Sequence, residues 1–185
     1  MATFGKTDVG GTSYPHLSNY IGACKFACPE VGTVTNISLY ITGSGAGRHA
    51  QVALYNSAFG LVGASAGEEI TVDGWHDFGG LALAVSAAEY WLAFNGDSSS
   101  LLTWYSAGAT DQKTHDASNY LTWPNPLGPE MYLPFVYSIH ADYTPSGGAT
   151  VKKGSSLVNT MTEMLNSKML FSACNRFPKL TTRRF

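Results

Sequence analysis

The chain has few charged residues. Only 13% of its 185 residues are charged, against about a quarter in an average soluble domain. Glycine (20 residues) and aromatic residues (12%) are plentiful, and residues 1–149 contain no long segment rich in Glu, Lys and Ala. This composition argues against a helical protein and favours short strands joined by turns.

Cysteine is also scarce. The three cysteines, Cys24, Cys28 and Cys174, are too few for a disulfide scaffold. If Cys24 and Cys28 lie on one strand, about 13 Å separates them, because a strand rises about 3.3 Å per residue. A disulfide needs Cα atoms within about 7 Å of each other. We therefore expect Cys24 and Cys28 to be small buried apolar residues of a protein made in a reducing compartment.

The sequence has no long apolar stretch. The first residues lack the apolar region of a secretion signal, and no run of about eighteen apolar residues could cross a membrane. These absences predict a protein made in the cytoplasm without a signal peptide. Its expected location is a virion or an extracellular assembly.

Motifs of common active sites are missing as well. The five histidines include no helical His-x-x-x-His pair, and there is no Gly-x-Ser-x-Gly elbow. The glycine-rich turn 43–47 lacks the Lys-Ser/Thr ending of a phosphate loop. We therefore predict that the protein is not an enzyme and uses no cofactor. Calcium held by Asp97, Asp111 and Asp116 is the weaker alternative to solvated loop carboxylates.

What the sequence does contain is a series of short alternating segments. Ile37, Leu39 and Ile41 alternate with polar residues over about 33–42, and the segment 89–96 gives the strongest strand pattern. Further strands are predicted at about 20–28, 48–56, 68–73, 74–79, 81–85, 101–107 and 134–143, with an extended segment over 4–19 and a long connection over 108–133. Eight or nine short strands without intervening helices predict an all-β, antiparallel β-sandwich of jelly-roll type.

The last thirty-six residues differ from the rest in charge. Residues 1–149 carry four basic and twelve acidic side chains, whereas residues 150–185 carry seven basic side chains and one acidic side chain. Such asymmetry suggests a body and an interaction tail. We predict a sandwich domain over 1–145, a Gly/Ser/Lys linker over 146–154, and an amphipathic helix plus an extended basic arm over 155–185.

The predicted tail has two candidate assembly surfaces. An apolar stripe at helical spacing consists of Leu157, Met161, Met164, Leu165 and Met169, and the basic arm carries Arg176, Lys179, Arg183 and Arg184. Such a helix can dock on a neighbouring subunit or another structural protein, where methionine suits an adaptable interface, or it can pack on its own sandwich. Nucleic acid is a weaker candidate partner, because no aromatic and basic residues interleave.

Aromatic side chains offer a second kind of site. Trp75, Trp104, Tyr120 and Trp123 fall in or near predicted loops and could stack on the apolar faces of sugar rings. Large aromatic residues in strands are mostly core, so Trp75 and Trp104 have that alternative interpretation. Trp123, between prolines and asparagines of the long connection, is the best candidate for an exposed ring.

Several motifs carry a family resemblance. They are Phe4-Gly-Lys-Thr7, Gly32-Thr-Val-Thr-Asn-Ile-Ser38, Val52-Ala-Leu-Tyr55, Gly74-Trp75, Glu89-Tyr-Trp-Leu-Ala-Phe94 and Tyr137-Ser-Ile-His-Ala-Asp-Tyr-Thr-Pro145. Residues of about 4–145 resemble a recurrent β-sandwich module of microbial surface proteins, carbohydrate-active proteins and phage structural proteins. The resemblance implies the sandwich fold and, in secreted relatives, an accessory carbohydrate-binding or adhesion unit.

Together these features predict a non-enzymatic structural protein. The basic tail and the missing signal favour a phage virion surface component, either a head decoration or a tail protein, that is anchored or oligomerised through its C-terminal tail. The alternative prediction is a carbohydrate-binding module that holds a glycan with loop aromatics. Surface glycans are therefore a second expected class of partner.

Overall fold

The computed structural model describes residues 1–15, 18 and 20–147, and these residues form strands and loops without a helix. The strands are β1 (Ala2–Gly5), β2 (Thr12–Tyr14), β3 (Tyr20–Cys28), β4 (Gly32–Thr42), β5 (His49–Asn56), β6 (Leu61–Ala64), β7 (Glu68–Glu69), β8 (Gly74–Phe78), β9 (Leu83–Val85), β10 (Ala88–Gly96), β11 (Leu102–Ala107), β12 (Lys113–Ala117), β13 (Met131–Leu133), β14 (Phe135–Tyr137) and β15 (Ile139–Pro145). The predicted helix and basic arm at 155–185, with every tail residue named for assembly, lie outside the described residues.

The strands form two antiparallel sheets that pack face to face. Sheet A has the order β1-β15-β4-β11-β14, with β2 paired to β11 and with β8 and β9 paired to β4. Sheet B has the order β13-β12-β3-β10-β5-β6, with β7 paired to β5. This arrangement confirms the predicted antiparallel β-sandwich.

Strand β4 is the central strand of sheet A. Both β15 and β8 pair with its residues 37–39, so these two strands lie on opposite edges of β4. Strand β9 pairs with residues 32–34, and β11 pairs with residues 41–42. With neighbours along both edges, β4 fixes the position of every strand that surrounds it.

The alternation along β4 builds the main core. Ile37, Leu39 and Ile41 are completely buried between the sheets, where they join Leu54 and Phe94 of sheet B. Successive side chains of a strand point to opposite faces, so the residues between these three point away from the core. Full burial of each such side chain stabilises the fold by about 1.5–3 kcal/mol.

The two described cysteines are buried and unbridged, as predicted. Cys24 and Cys28 both lie on β3. The backbone N–H of Tyr137 donates a hydrogen bond to Cys24 Sγ at 3.2 Å, and burial raises the pKa of the Cys24 thiol to about 12. At neutral pH Cys24 is therefore a protonated core residue.

The long connection predicted at 108–133 contains two strands that the sequence pattern did not reveal. Strand β12 pairs with β3 on one side and with β13 on the other. Its sequence, Lys-Thr-His-Asp-Ala, has no apolar alternation. Backbone hydrogen bonds to the strands on both sides hold it in the sheet, so the strand forms without an apolar face of its own. Very short strands of this kind explain why the described residues contain fifteen strands and not eight or nine.

A second, smaller core covers the outer face of sheet B. Tyr55, Trp91 and Leu127 are buried in it, and Phe59 and Trp123 pack against it. The backbone N–H of Leu127 donates a hydrogen bond to the carbonyl of Phe59 at 2.9 Å, and the Tyr55 hydroxyl donates to the Pro124 carbonyl at 2.9 Å. These contacts hold the segment between β12 and β13 against sheet B.

Replacement of Leu127 by alanine tests this second core. Leu127 is 2% exposed, so Leu127→Ala should lower the free energy of unfolding by about 2–5 kcal/mol. Leu121→Ala is the matched control in the same segment, because Leu121 is 63% exposed and its loss should change stability by no more than about 0.5 kcal/mol. Urea denaturation measures both, and equal effects would contradict the assignment of Leu127 to a core.

Candidate functional site

The outer face of sheet A carries three aromatic side chains on three neighbouring strands. Trp75 of β8, Tyr40 of β4 and Trp104 of β11 are half-buried. The ring centroids of Tyr40 and Trp75 are 5.5 Å apart, and those of Tyr40 and Trp104 are 6.2 Å apart. Both indoles stand nearly perpendicular to the tyrosine ring. We call Trp75, Tyr40 and Trp104 the aromatic row.

The register of the strands produces this row. Tyr40 lies between the core residues Leu39 and Ile41 and therefore points outward. Trp75 is its direct partner on β8. On the other side, the Trp104 indole N–H donates a hydrogen bond to Thr42 Oγ1, also on β4, at 2.9 Å. Each indole is thus fixed against β4, the most constrained strand of the sheet.

Polar side chains continue the same face along β4. Ser38 Oγ donates a hydrogen bond to Asp77 Oδ1 at 2.5 Å, and Asn36 Nδ2 donates to Ser38 Oγ at 2.9 Å. Asn36 Nδ2 also lies 3.4 Å from Asp77 Oδ1 and 3.4 Å from Asp142 Oδ2. We call Asn36, Ser38, Asp77 and Asp142 the polar row.

His140 joins the two rows. It pairs with Ser38 across β15 and β4, and its ring centroid is 4.9 Å from that of Trp75 in an edge-to-face contact. Burial lowers the pKa of His140 and outweighs the carboxylates of Asp142 and Asp77, which act in the opposite direction. The ring is therefore held neutral over a wider pH range than an exposed histidine.

This arrangement combines apolar ring surfaces with hydrogen-bond acceptors. Aromatic rings contact the C–H faces of a sugar, and carboxylate oxygens accept hydrogen bonds from its hydroxyls. A hydroxyl-rich, uncharged ligand matches both rows.

The structure separates the four predicted glycan-binding residues into two pairs. Trp75 and Trp104 lie on strands β8 and β11 and not in loops, and both face outward from sheet A instead of joining the core. Their contact through Tyr40 places them in one site.

Trp123 and Tyr120 lie beside sheet B. Trp123 is half-buried against Tyr55, with 6.3 Å between ring centroids, so it is part of the second core and less exposed than predicted. Tyr120 lies 6.3 Å from the ring of His49, and a Cβ built on Gly67 would lie 1.9 Å from the Tyr120 hydroxyl. Both rings are partly covered by their own chain.

Sequence reasoning missed the members of the site that surround the two tryptophans. They are Asn36, Ser38, Tyr40, Asp77, His140 and Asp142. For all of them except Asp77 a signal was present, because the segments 33–42 and 134–143 alternate apolar residues with these polar and aromatic ones. What the pattern lacked was the pairing of the segments, which places both outward faces side by side.

The predicted calcium alternative has no support in the described residues. Both carboxylate oxygens of Asp97 contact His49, each at 2.7 Å, and Asp116 Oδ2 accepts a hydrogen bond from the Gly128 N–H at 2.8 Å. No group of three or more His, Cys, Asp or Glu side chains within residues 1–15, 18 and 20–147 could hold a metal ion.

Known proteins add no further information about the site. No family model, curated protein or solved structure matches the chain. The resemblance to a microbial and phage β-sandwich module therefore stays a prediction. Within the part of the chain that the structure describes, no helix is long and apolar enough to span a membrane.

His140→Gln tests the electrostatics of this face. In the unfolded chain a histidine has a pKa of about 6.5, and in the folded protein the pKa of His140 is lower. Below pH ~6.5 the unfolded chain therefore binds the proton more readily, so stability falls as the pH falls. The variant should lose less stability than the wild type between about pH 8 and pH 5.5. Urea midpoints that fall in parallel for both proteins would contradict the lowered pKa.

Proposed function

We propose that this chain is a non-enzymatic carbohydrate-binding β-sandwich whose binding face is the aromatic row and the polar row of sheet A. The observation that carries the proposal is the contact of Trp75, Tyr40 and Trp104 beside two carboxylates on one open face. This modifies the predicted use of loop aromatics, because the site lies on strands.

The rings of the aromatic row are held by contacts within the chain before any ligand arrives. Tyr40 lies edge-to-face between the two indoles, and the Trp104 N–H is held by Thr42. A binding surface that needs little ordering loses less conformational entropy when it binds.

The polar row determines which glycans fit. Asp77 and Asp142 supply carboxylates farther along the same face, and Ser38 and Asn36 fix them by hydrogen bonds. Sulfated or uronic sugars would place like charges close to these carboxylates, which disfavours their binding. The proposed ligand is therefore a neutral polysaccharide or glycan.

Alanine substitution of the two tryptophans tests the proposal. Trp75→Ala and Trp104→Ala should each weaken binding of a neutral glycan by about tenfold or more, since loss of a central aromatic contact costs about 2 kcal/mol or more and about 1.4 kcal/mol corresponds to tenfold. Trp123→Ala is the matched control and should leave affinity unchanged, because Trp123 lies at sheet B. An array of neutral and sulfated glycans identifies the ligand, and calorimetry measures its affinity.

Two results would overturn the proposal. One is the absence of binding to any neutral glycan by the wild-type protein. The other is loss of binding in Trp123→Ala with normal binding in both sheet A variants. Thermal unfolding of each variant establishes that the fold is retained.

We also propose that the protein belongs to a larger assembly, with a phage virion surface as the preferred setting. The charge asymmetry supports this second function, because a basic tail complements the acidic body of another copy or of another structural protein. The sandwich would then display its glycan-binding face on the particle.

Removal of residues 150–185 tests the assembly proposal. The full chain should form an oligomer that loosens as salt rises from about 50 to 500 mM, because salt screens contacts between exposed charges. The truncated chain should be a monomer. Light scattering measures both masses, and identical masses that do not depend on salt would contradict self-assembly through the tail.

A further inference from the structure

A pocket of about 270 Å³ opens at one edge of the sandwich, away from the aromatic row. Tyr14, Tyr105 and Phe135 of sheet A form one wall, and Lys113, Met131 and Leu133 of sheet B form the other. Strands β2 and β14 thus face β12 and β13 across it. We call this pocket the edge slot.

Lys113 lies at the base of the edge slot. Its residue is only 6% exposed, whereas Tyr14 and Met131 are 48% and 50% exposed. The ammonium nitrogen lies 4.8 Å from the ring centroid of Tyr137, 5.8 Å from that of Phe135 and 5.9 Å from that of Tyr14. Three aromatic rings therefore surround a buried cation.

No carboxylate compensates this cation within the described residues. The ion pairs there involve Lys6, Lys25, His49 and His115 as the basic partners. His115, which also lines the slot, has Glu130 as its partner at 3.7 Å. Burial lowers the pKa of Lys113, and Cys24 acts in the opposite direction without outweighing it. A buried charge without an ionic partner is costly to the fold.

The slot is complementary to one class of ligand. Its walls are mostly aromatic and aliphatic, and its base holds one positive charge. Its volume of about 270 Å³ lies near the lower end of the range of about 300–1,000 Å³ found for small-molecule sites. These features match a molecule with a single negative group at one end of a small flat apolar body.

We propose that the edge slot binds a small organic monocarboxylate of about the size of benzoate. The carboxylate contacts the Lys113 ammonium at the base, and the apolar body lies between the walls formed by Tyr14, Phe135, Met131 and Leu133. Binding gives the buried cation the ionic partner that the described residues do not supply. The edge slot shares no residue with the aromatic row, so this ligand is independent of the proposed glycan.

Titration of the full chain with benzoate tests the inference, with benzamide as the neutral control of the same shape. Wild-type protein should bind benzoate at least tenfold more tightly than benzamide, as measured by calorimetry or by ligand-observed NMR. Lys113→Met keeps the length of the side chain and removes its charge, and should abolish this preference. Lys25→Met should retain it, because Lys25 pairs with Glu89 outside the slot.

A second measurement needs no variant. Reductive methylation followed by peptide mass spectrometry should show that benzoate, but not benzamide, protects Lys113 at least twofold, with the other lysines as internal references. Equal affinity for benzoate and benzamide, unchanged preference in Lys113→Met, or equal methylation of Lys113 with either compound would overturn the proposal. Binding of both compounds to the wild type only at the highest concentrations tested would also overturn it.

Discussion

The two-residue alternation of β4 is the constraint on which the rest of the structure depends. Ile37, Leu39 and Ile41 must face inward to form the main core, so Ser38 and Tyr40 must face outward. A shift of one residue would bury polar groups and expose the isoleucines, which strongly specifies the register. The same register places Trp75 beside Tyr40 and His140 beside Ser38. The candidate site is therefore fixed by the core and does not depend on a loop.

The two sheets have different surroundings, and this difference suggests a division of roles. Sheet B is covered on both faces, by the main core and by the second core around Trp91 and Leu127. Within the described residues, the main core covers one face of sheet A, and the other face carries half-buried aromatic rings beside polar side chains that range from exposed Asp77 to buried Ser38. A rigid, doubly covered sheet supports the open face of its partner, and rigid support favours binding by preorganised side chains.

Much of the fold could be predicted from sequence, because alternation and turns are local signals. The segment 20–28 is β3 without any change of its bounds, and 33–42 differs from β4 by one residue. The site could be predicted only in part. Alternation shows which residues share a face of a strand. When both faces are apolar, it does not show which one points into the main core. In the segment 89–96, for example, Tyr90 and Leu92 lie on one face and Trp91 and Ala93 on the other. Alternation also cannot show which strands are neighbours, so Trp75 and Trp104 were named without Tyr40 between them. Nor can it reveal strands such as β12, whose sequence has no apolar period.

The central claim is that glycans bind to the open face of sheet A, and indole NMR tests it most directly. The chain has four tryptophans, so ¹⁵N labelling gives four indole N–H signals that single substitutions can assign. During titration with a neutral oligosaccharide, the signals of Trp75 and Trp104 should shift with a common dissociation constant, while those of Trp91 and Trp123 stay in place. Shifts confined to Trp123, or no shift of Trp75 and Trp104 at saturation, would contradict the account.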